Sequence, residues 1–375
     1  MRYRLAGGGL LPVATIDVNR ETLHSLAKQP GVIAVLPNQP VHLLRPTSVS
    51  DGKLGTADVK KGCTWGLDRL RIRELWSKSR TQGAGIKVAV LDTGVFGNHC
   101  TLAGKVKGFV IIDPAGRRLR LSENETFDYE RHGTHVCGTI AGGETAEGVA
   151  IGVAPDVELH VAQIHFGSRA FLSSIMDGIV WSLQAGADVI NMSLGVSYYD
   201  EKIGELFQLL VNRGVAPVVA IGNDSHGTTK CPGNSSFALG IGAVAKSNGG
   251  VDVASFSSGG SLDFPGEEPF RIVKPDVVAP GAEIFSCVPP SSADGNQEEY
   301  RLMDGTSMAA PHVSGILAIL MAANQEIEVA ELFRIVRETA DHPKGRARPD
   351  NRWGHGLIQP LAALDVVLSK RSMLP

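Results

Sequence analysis

Three residues that together can turn a hydroxyl group into a nucleophile lie far apart in the chain. Ser307 opens a long apolar stretch that is typical of a helix, His132 lies in a turn of small residues, and Asp92 directly follows the apolar run 87–91. A neutral imidazole can take the proton of a serine hydroxyl, and a carboxylate on the other ring nitrogen holds the tautomer and stabilises the imidazolium. At a helix N-terminus, Ser307 would also have unpaired N–H groups close to a developing oxyanion. The three residues therefore predict acyl-transfer chemistry, although each alone is more often a helix cap or a buried polar residue.

The segments around these residues predict a parallel sheet. Apolar strands without polar alternation are predicted at 87–91, 157–164, 188–194 and 216–221, and amphipathic helices at 171–185 and 201–212. Such strands are buried on both faces, so helices must cover both sides of the sheet. We therefore expect an α/β fold with a doubly wound, mostly parallel sheet, preceded by a small α+β segment. In such folds catalytic residues collect beyond the carboxyl ends of the strands, which is where Asp92 and the residues 194–195 and 222–223 are expected.

Composition excludes several classes of protein. The 375 residues carry 36 Lys and Arg against 39 Asp and Glu, a net charge of −3, so nucleic acid and anionic membranes are not expected partners. No apolar run reaches the roughly 18–20 residues of a membrane span, and 315–323 is predicted to be a buried helix. Five cysteines without C-x-x-C spacing argue against a disulfide scaffold or a zinc site. Without a convincing signal peptide the cytoplasm is favoured, with secretion as the alternative, and a monomer is expected.

The N-terminal part differs from the rest of the chain. A strand at 13–18, a helix at 20–28 and a second strand at 32–36 are predicted, with an apolar continuation to residue 44. Residues 45–62 are polar and lack a hydrophobic period, which favours a linker. We therefore expect three parts: a small domain at 1–44, a linker at 45–62 and a large domain at 63–375.

Three motifs resemble the signatures of the subtilisin-like serine proteases, the subtilase family. They are Asp92-Thr-Gly-Val, His132-Gly-Thr-His and Gly305-Thr-Ser-Met-Ala-Ala-Pro-His, and they follow the chain order Asp, His, Ser that is typical of subtilisin. The resemblance extends over about residues 65–365, with further matching blocks at 152–155, 191–195, 274–281 and 353–358. It implies that Ser307 is the nucleophile, His132 the general base and acid, and Asp92 the orienting carboxylate.

The same resemblance assigns residues that bind the substrate. Asn223 matches the asparagine of the family's oxyanion hole. The residues 193–195 (Ser193, Leu194, Gly195) match the edge along which a peptide substrate pairs, and Gly222 lies beside it. Lys230 aligns with the floor of the pocket for the side chain before the scissile bond. There it would narrow the pocket or favour an acidic side chain; the alternative is a lysine that points outward or pairs with Asp224.

Two further expectations follow from the resemblance. Residues 20–44 are similar to the second half of subtilase propeptides, so the segment is expected to inhibit the enzyme intramolecularly and to be cut off by autocleavage between Leu44 and Trp65. The usual first strand and helix of such propeptides are expected to be truncated or absent here, and a permanent extension that is never removed is the alternative. The family's usual calcium ligands are missing from residues 99–102 and 144–150, so no metal or cofactor is expected, and Glu144 and Glu147 are expected to be solvated.

Three functions are compatible with these residues. The leading prediction is a serine endopeptidase that hydrolyses an acyl-enzyme on Ser307. A peptide ligase or macrocyclase would share that acyl-enzyme but release it to an amine. A pseudoenzyme that only binds peptides would not need Asp92, His132, Asn223 and Ser307 together, which argues against it.

Overall fold

The computed structural model describes residues 2–5, 11, 13–32, 34–119, 125–128, 130–166, 169–265, 269–291 and 299–371. Its strands are β1 (Arg2–Leu5), β2 (Ala14–Asp17), β3 (Pro40–Leu43), β4 (Ser48–Asp51), β5 (Lys87–Asp92), β6 (Val106–Ile112), β7 (Arg118–Leu119), β8 (Glu158–Gln163), β9 (Arg169–Phe171), β10 (Val189–Met192), β11 (Leu194–Gly195), β12 (Ala216–Ala220), β13 (Leu239–Ser247), β14 (Gly250–Val253), β15 (Gly260–Phe264), β16 (Phe270–Lys274), β17 (Val277–Pro280), β18 (Ile284–Cys287) and β19 (Tyr300–Asp304). Its helices are α1 (Arg20–Leu26), α2 (Thr56–Lys61), α3 (Trp65–Arg69), α4 (Ile72–Ser79), α5 (His132–Ala141), α6 (Leu172–Gln184), α7 (Glu201–Asn212), α8 (Thr306–Ala323), α9 (Val329–Thr339) and α10 (Pro360–Arg371).

The central sheet is mostly parallel, as the sequence predicts. Its strands follow the order β7-β6-β8-β5-β10-β12-β13, and β13 also pairs with β17 and β14. The seven strands β5, β6, β8, β10, β12, β13 and β17 are parallel, while β7 and β14 join antiparallel. In β5, Val88 and Val90 face one core while Ala89 and Leu91 face the other. Because both faces of this strand are buried, its sequence is apolar without interruption.

Helices cover both faces of the sheet, which confirms the α/β prediction. Helix α8 packs on β10, β12 and β13 beside α5, and α6 and α7 pack on the opposite face. Helix α8 is long and apolar enough to cross a membrane, but 94% of it is buried inside the protein. It is therefore the central helix of one core, as expected for 315–323.

The order in which the chain adds strands to the sheet reverses between the parallel neighbours β5 and β10. From β5 the chain continues to β6 and β8 on one side, and then crosses to β10, β12 and β13 on the other. Loops that leave the carboxyl ends of β5 and β10 therefore diverge and open a crevice. Asp92 ends β5, Ser193 follows β10, and Asn223 lies just beyond β12.

The N-terminal part differs from the sequence predictions in three places. The described residues of 32–36 form no strand: Val35 and Leu36 are exposed between two prolines and pair with no neighbouring strand. Strand β1 lies ahead of the first predicted strand and pairs antiparallel with β2. The segment 45–62, which the sequence predicts to be a loop-like linker, contains β4 and α2.

Candidate active site

Asp92 and His132 meet at the carboxyl end of β5. The Asp92 side chain is fully buried, and its Oδ1 accepts hydrogen bonds from the backbone N–H of Thr93 (2.7 Å) and from His132 Nδ1 (2.7 Å). Since a carboxylate only accepts, the proton of the neutral imidazole lies on Nδ1, which leaves Nε2 as the acceptor. Nε2 has no hydrogen-bond partner among the described residues. This imidazole is therefore oriented to accept a proton at Nε2.

The charge of Asp92 determines the protonation of His132. Burial lowers the pKa of His132, but the carboxylate of Asp92 and its hydrogen bond outweigh burial and raise the pKa above 6.5. The neighbouring histidines behave differently. His135 and His312 are buried and hydrogen-bond to backbone carbonyls, and burial lowers their pKa to about 3 and about 4. They are neutral structural residues, so His132 is the histidine suited to act as a base.

Asp128 fixes the start of α5, and the sequence analysis missed it. Its carboxylate accepts hydrogen bonds from the backbone N–H of Thr134 (2.8 Å), from the Thr134 hydroxyl (2.7 Å) and from the Thr93 hydroxyl (2.9 Å). It therefore joins the N-terminus of the helix that begins with His132 to the turn that follows Asp92. The available signal was a carboxylate four residues before the histidine, ahead of a predicted helix.

Ser307 contacts a peptide bond of its own chain. It is the second residue of α8 and is fully buried, and its Oγ donates a hydrogen bond to the backbone O of Leu44 (2.8 Å). The backbone N–H of Leu44 donates to the backbone O of Ser193 (3.1 Å). The bond between Leu44 and Arg45 thus lies at the serine.

Asn223 lies at the same peptide segment. Its Oδ1 accepts hydrogen bonds from the backbone N–H and the hydroxyl of Thr306 (both 2.9 Å), which fixes the amide. Its Nδ2 donates to the backbone O of Arg45 (2.9 Å), one carbonyl beyond the Leu44 carbonyl that Ser307 contacts. The structure therefore brings the amide of Asn223 and the hydroxyl of Ser307 to adjacent carbonyls.

The predicted substrate-pairing edge holds the chain's own strand β3. This strand lies between β11 and β9 and is antiparallel to both, with Leu43 opposite Leu194 and His42 opposite Gly195. Val41, Leu43 and Leu44 are buried. Val41 is one of the residues that line an apolar pocket, together with Leu172, Ile175, Met176, Ile203 and Phe207.

The chain continues past Ser307 on the other side, a feature absent from the sequence predictions. The backbone N–H of Thr47 donates to the backbone O of Asp304 (2.8 Å), and β4 then pairs antiparallel with β19. The guanidinium of Arg45 lies 3.9 Å from the carboxylate of Glu130, two residues before His132. The segment 40–52 therefore runs through the whole crevice.

Lys230 forms an ion pair with Asp224, which is one of the alternatives that the sequence leaves open for this lysine. Its Nζ contacts the carboxylate of Asp224 and donates to the Ser197 hydroxyl (2.5 Å). The stem of Lys230 covers two glycines: a Cβ on Gly195 would lie 2.6 Å from Lys230 Cβ, and one on Gly222 2.8 Å from Lys230 Cγ. The lysine thus fills space beside the pairing edge, and its charge is already matched.

The residues at the family's usual calcium position do not fit that ion. The hydroxyl of Thr101 bonds to His99 Nδ1 (3.0 Å), and Glu144 lies 3.6 Å from Arg73. Across the described ranges, no group of three or more His, Cys, Asp or Glu side chains is placed to hold a metal. The expected lack of a metal stays a prediction.

Comparison with known proteins shows the family of this chain. The sequence model of the subtilase family matches residues 83–356. The chain belongs to the subtilase family. It is a subtilisin-like serine protease, and the predictions of the family, the α/β fold and the class of enzyme are confirmed.

Relatives match most of this subtilase. It is 30% identical over 351 residues to the M-protease of Shouchella clausii (strain KSM-K16), which covers 92% of this chain and 82% of that protein. It is 31% identical over 300 residues to Subtilisin Savinase of Lederbergia lenta, which covers 80% of this chain and 97% of that protein. The crystal structure of fervidolysin from Fervidobacterium pennivorans, a keratinolytic enzyme related to subtilisin, superposes with a TM-score of 0.71 at 28% identity and covers 88% of this chain. This chain spans about half (51%) of the fervidolysin chain.

Proposed function

We propose that this subtilase is an endopeptidase that forms an acyl-enzyme on Ser307 and that it cuts its own chain between Leu44 and Arg45. The observation that carries the proposal is the hydrogen bond of 2.8 Å from Ser307 Oγ to the carbonyl of Leu44. It is supported by the pairing of β3 along β11, because an added strand is a common way to hold a peptide in register. The segment 1–44 would then be an intramolecular inhibitor, and other peptides or proteins would be substrates in the same crevice.

Each residue of the site has its own role in the proposed reaction. Ser307 Oγ attacks the carbonyl carbon of Leu44 while His132 Nε2 takes its proton, and Asp92 stabilises the resulting imidazolium. The oxyanion accepts hydrogen bonds from Asn223 Nδ2 and the backbone N–H of Ser307. As the C–N bond breaks, His132 returns the proton to the nitrogen of Arg45. Water then attacks the ester, with His132 again as the base, and Leu44 leaves with a free carboxylate.

The hydrogen bonds of the bound segment differ from those that attack on the Leu44 carbonyl requires. The hydroxyl of Ser307 still donates to the Leu44 carbonyl, and the amide of Asn223 still donates to the carbonyl of Arg45. Attack requires the Leu44 oxygen to move onto Asn223 Nδ2, so that the hydroxyl proton can turn to His132. We therefore expect autocleavage to be slower than the hydrolysis of a free peptide.

Intact mass over time tests the proposal, with Ser307→Ala beside the wild type. We expect the wild type to lose residues 1–44 and to expose Arg45 as its new N-terminus, while the variant stays whole. A fluorophosphonate label, which reacts with an activated serine, is the second measurement. A wild type that is neither cut nor labelled would favour the peptide-binding pseudoenzyme, and equal cutting of both chains would point to a foreign protease.

The pocket beside Lys230 is proposed to prefer leucine before the scissile bond. The pairing of Lys230 with Asp224 cancels the charge that an acidic side chain would need, and the lysine stem leaves less room for a large aromatic ring. Matched peptides with Leu, Phe or Glu at this position measure the preference by kcat/KM. Asp224→Asn frees the lysine charge, so the Glu peptide should gain about threefold to tenfold relative to Leu. A wild type that prefers Glu would contradict the charge pairing.

A further inference from the structure

The segment that follows the proposed cleavage site lies along a strand that leads directly to Ser307. The backbone N–H of Thr47 donates to the backbone O of Asp304 (2.8 Å), and the backbone N–H of Gly52 donates to the backbone O of Tyr300 (3.2 Å). Between these bonds β4 and β19 form an antiparallel ladder. Residues 45–52 therefore occupy the place that the second half of a substrate would take, the half that follows the scissile bond.

Strand β4 is held through its main chain. All four of its side chains are exposed, and the apolar Val49 keeps 54% of its surface in solvent. Asp51 lies 3.6 Å from Arg301, but it is 86% exposed, so this ion pair is weak. Because backbone bonds do not depend on side chains, an extended peptide of another sequence can make the same ladder on β19.

The cut would release only one end of this segment. The bond between residues 44 and 45 would be cut, which frees the N-terminal end of the segment 45–52. Its C-terminal side stays anchored through Cys63, which is buried and forms a β-bridge with Ala150. A tethered strand rebinds at a high effective concentration, so it competes with any peptide that arrives from solution. The ion pair of Arg45 with Glu130 (3.9 Å) adds a contact at the newly formed end.

We propose that residues 45–52 stay on β19 after the cut and compete there with the second half of extended polypeptide substrates. The edge of β19 is then the surface that binds this half of an unfolded chain, and β4 is its resident occupant. The inference rests on the proposed function, because it presumes that the bond between Leu44 and Arg45 is cut.

Two proline variants separate the ladder from other effects. Alternate residues of an antiparallel strand point their N–H groups at the partner. In the register of β4 and β19, Ser50 lies opposite Leu302 and Val49 opposite Met303, and Gly52 N–H bonds to Tyr300. Ser50 N–H therefore also faces β19, while Val49 N–H points away from it. Thr47 precedes β4, and its bond to Asp304 is one residue out of this register. Ser50→Pro removes a ladder donor, and Val49→Pro is the matched control. Gly52→Ala is a second test without proline, because its Cβ would lie 2.5 Å from the backbone of Tyr300.

The readout compares two substrates on each full chain after it has lost residues 1–44. One is the peptide of residues 40–44 with a p-nitroanilide leaving group, and the other continues the same peptide for six residues past the scissile bond. Ser50→Pro and Gly52→Ala should raise kcat/KM on the long peptide by about threefold to tenfold, through a lower KM. The p-nitroanilide should be cleaved as by the wild type, and Val49→Pro should change neither substrate.

The alternatives give different results. An equal gain on both substrates, the same gain in Val49→Pro, or no gain in any variant overturns the inference while the enzyme remains active. A chain that takes the fluorophosphonate label but keeps Leu44 joined to Arg45 also overturns it, since β4 would then be a fixed element. A chain that is neither labelled nor active overturns the proposed function itself, and this inference with it.

Discussion

At the scale of single residues, the buried pair of Asp92 and His132 makes a prediction about pH. Asp92 holds the pKa of His132 above 6.5 against the effect of burial, and only neutral His132 can accept the proton of Ser307. Activity should therefore rise with pH as His132 loses its proton. In Asp92→Asn the burial remains and the attraction of Asp92 is lost, leaving only the weaker attraction of Asp128 and Glu130, so the pKa of His132 falls. The acidic limb of kcat/KM should move to lower pH, while kcat drops by roughly 10⁴-fold.

A pH profile of kcat/KM with a small ester substrate measures both effects. Asp113→Asn is the matched control, because Asp113 is also a buried carboxylate but accepts hydrogen bonds within its own turn, from Ala115 and Arg117. Its profile should follow the wild type. A limb that stays in place in Asp92→Asn, or that moves equally in the control, would contradict the role of Asp92.

The sequence predicted the candidate residues of this site but not the peptide bond that lies at Ser307. Asp92, His132, Ser307 and Asn223 are recognisable because each lies in a short local motif, and their chain order carries information. The contact of Ser307 with Leu44 spans 263 residues, and a backbone carbonyl leaves no mark in the sequence. Local motifs therefore identify the side chains of a site, whereas the peptide bound there follows only from the folded chain.

At the scale of elements, the start of α5 is packed directly on the turn after β5. Gly133 is the second residue of α5, and a Cβ at this position would lie 2.1 Å from the backbone O of Gly94. Since backbone cannot give way as a side chain can, Gly133→Ala must push α5 away and move His132 from Asp92. We expect the free energy of unfolding to fall by about 1–3 kcal/mol, and kcat/KM to fall as well.

Gly143→Ala, just beyond the end of α5, is the control for this prediction. A Cβ there would lie 3.6 Å from the backbone O of Thr101, an ordinary contact. Thermal unfolding and kcat/KM of both variants decide the matter. If Gly133→Ala loses no more stability and no more kcat/KM than Gly143→Ala, the close contact with Gly94 does not position α5, and the prediction is contradicted.

Elements were predictable where burial shaped their sequence. Strand β5 and helix α7 are apolar on the faces that they bury, so their periods are visible in the sequence. Strand β4 is exposed on both faces and exists because the edge of β19 offers it a ladder. The reverse error occurred among the described residues of 32–36, where a strand was predicted but Val35 and Leu36 have no neighbouring strand and stay exposed. A strand that depends on its partner's edge has no signature of its own.

At the scale of the whole molecule, one chain supplies both the crevice and the peptide that fills it. While Leu44 and Arg45 are joined, residues 40–44 are tethered at a high effective concentration, and even a weak fit closes the site. Once the bond is cut, inhibition depends on the affinity of the released segment alone. That affinity should reside in the buried side chains of β3, of which Val41 forms part of the wall of the apolar pocket beside α6 and α7.

Synthetic peptides of residues 39–44 with a free carboxylate test this on the enzyme that has lost its first 44 residues. Replacing Val41 by Asp removes a buried apolar side chain from the pocket wall and puts an unpaired charge there, so the inhibition constant should rise by roughly tenfold or more. His42→Ala is the control, because His42 alternates with Val41 along β3 and its side chain is exposed. Its inhibition constant should change by less than about threefold. If the two peptides lose affinity equally, the backbone ladder with β11 and β9 holds the segment, and the apolar pocket is not what keeps the enzyme closed after the cut.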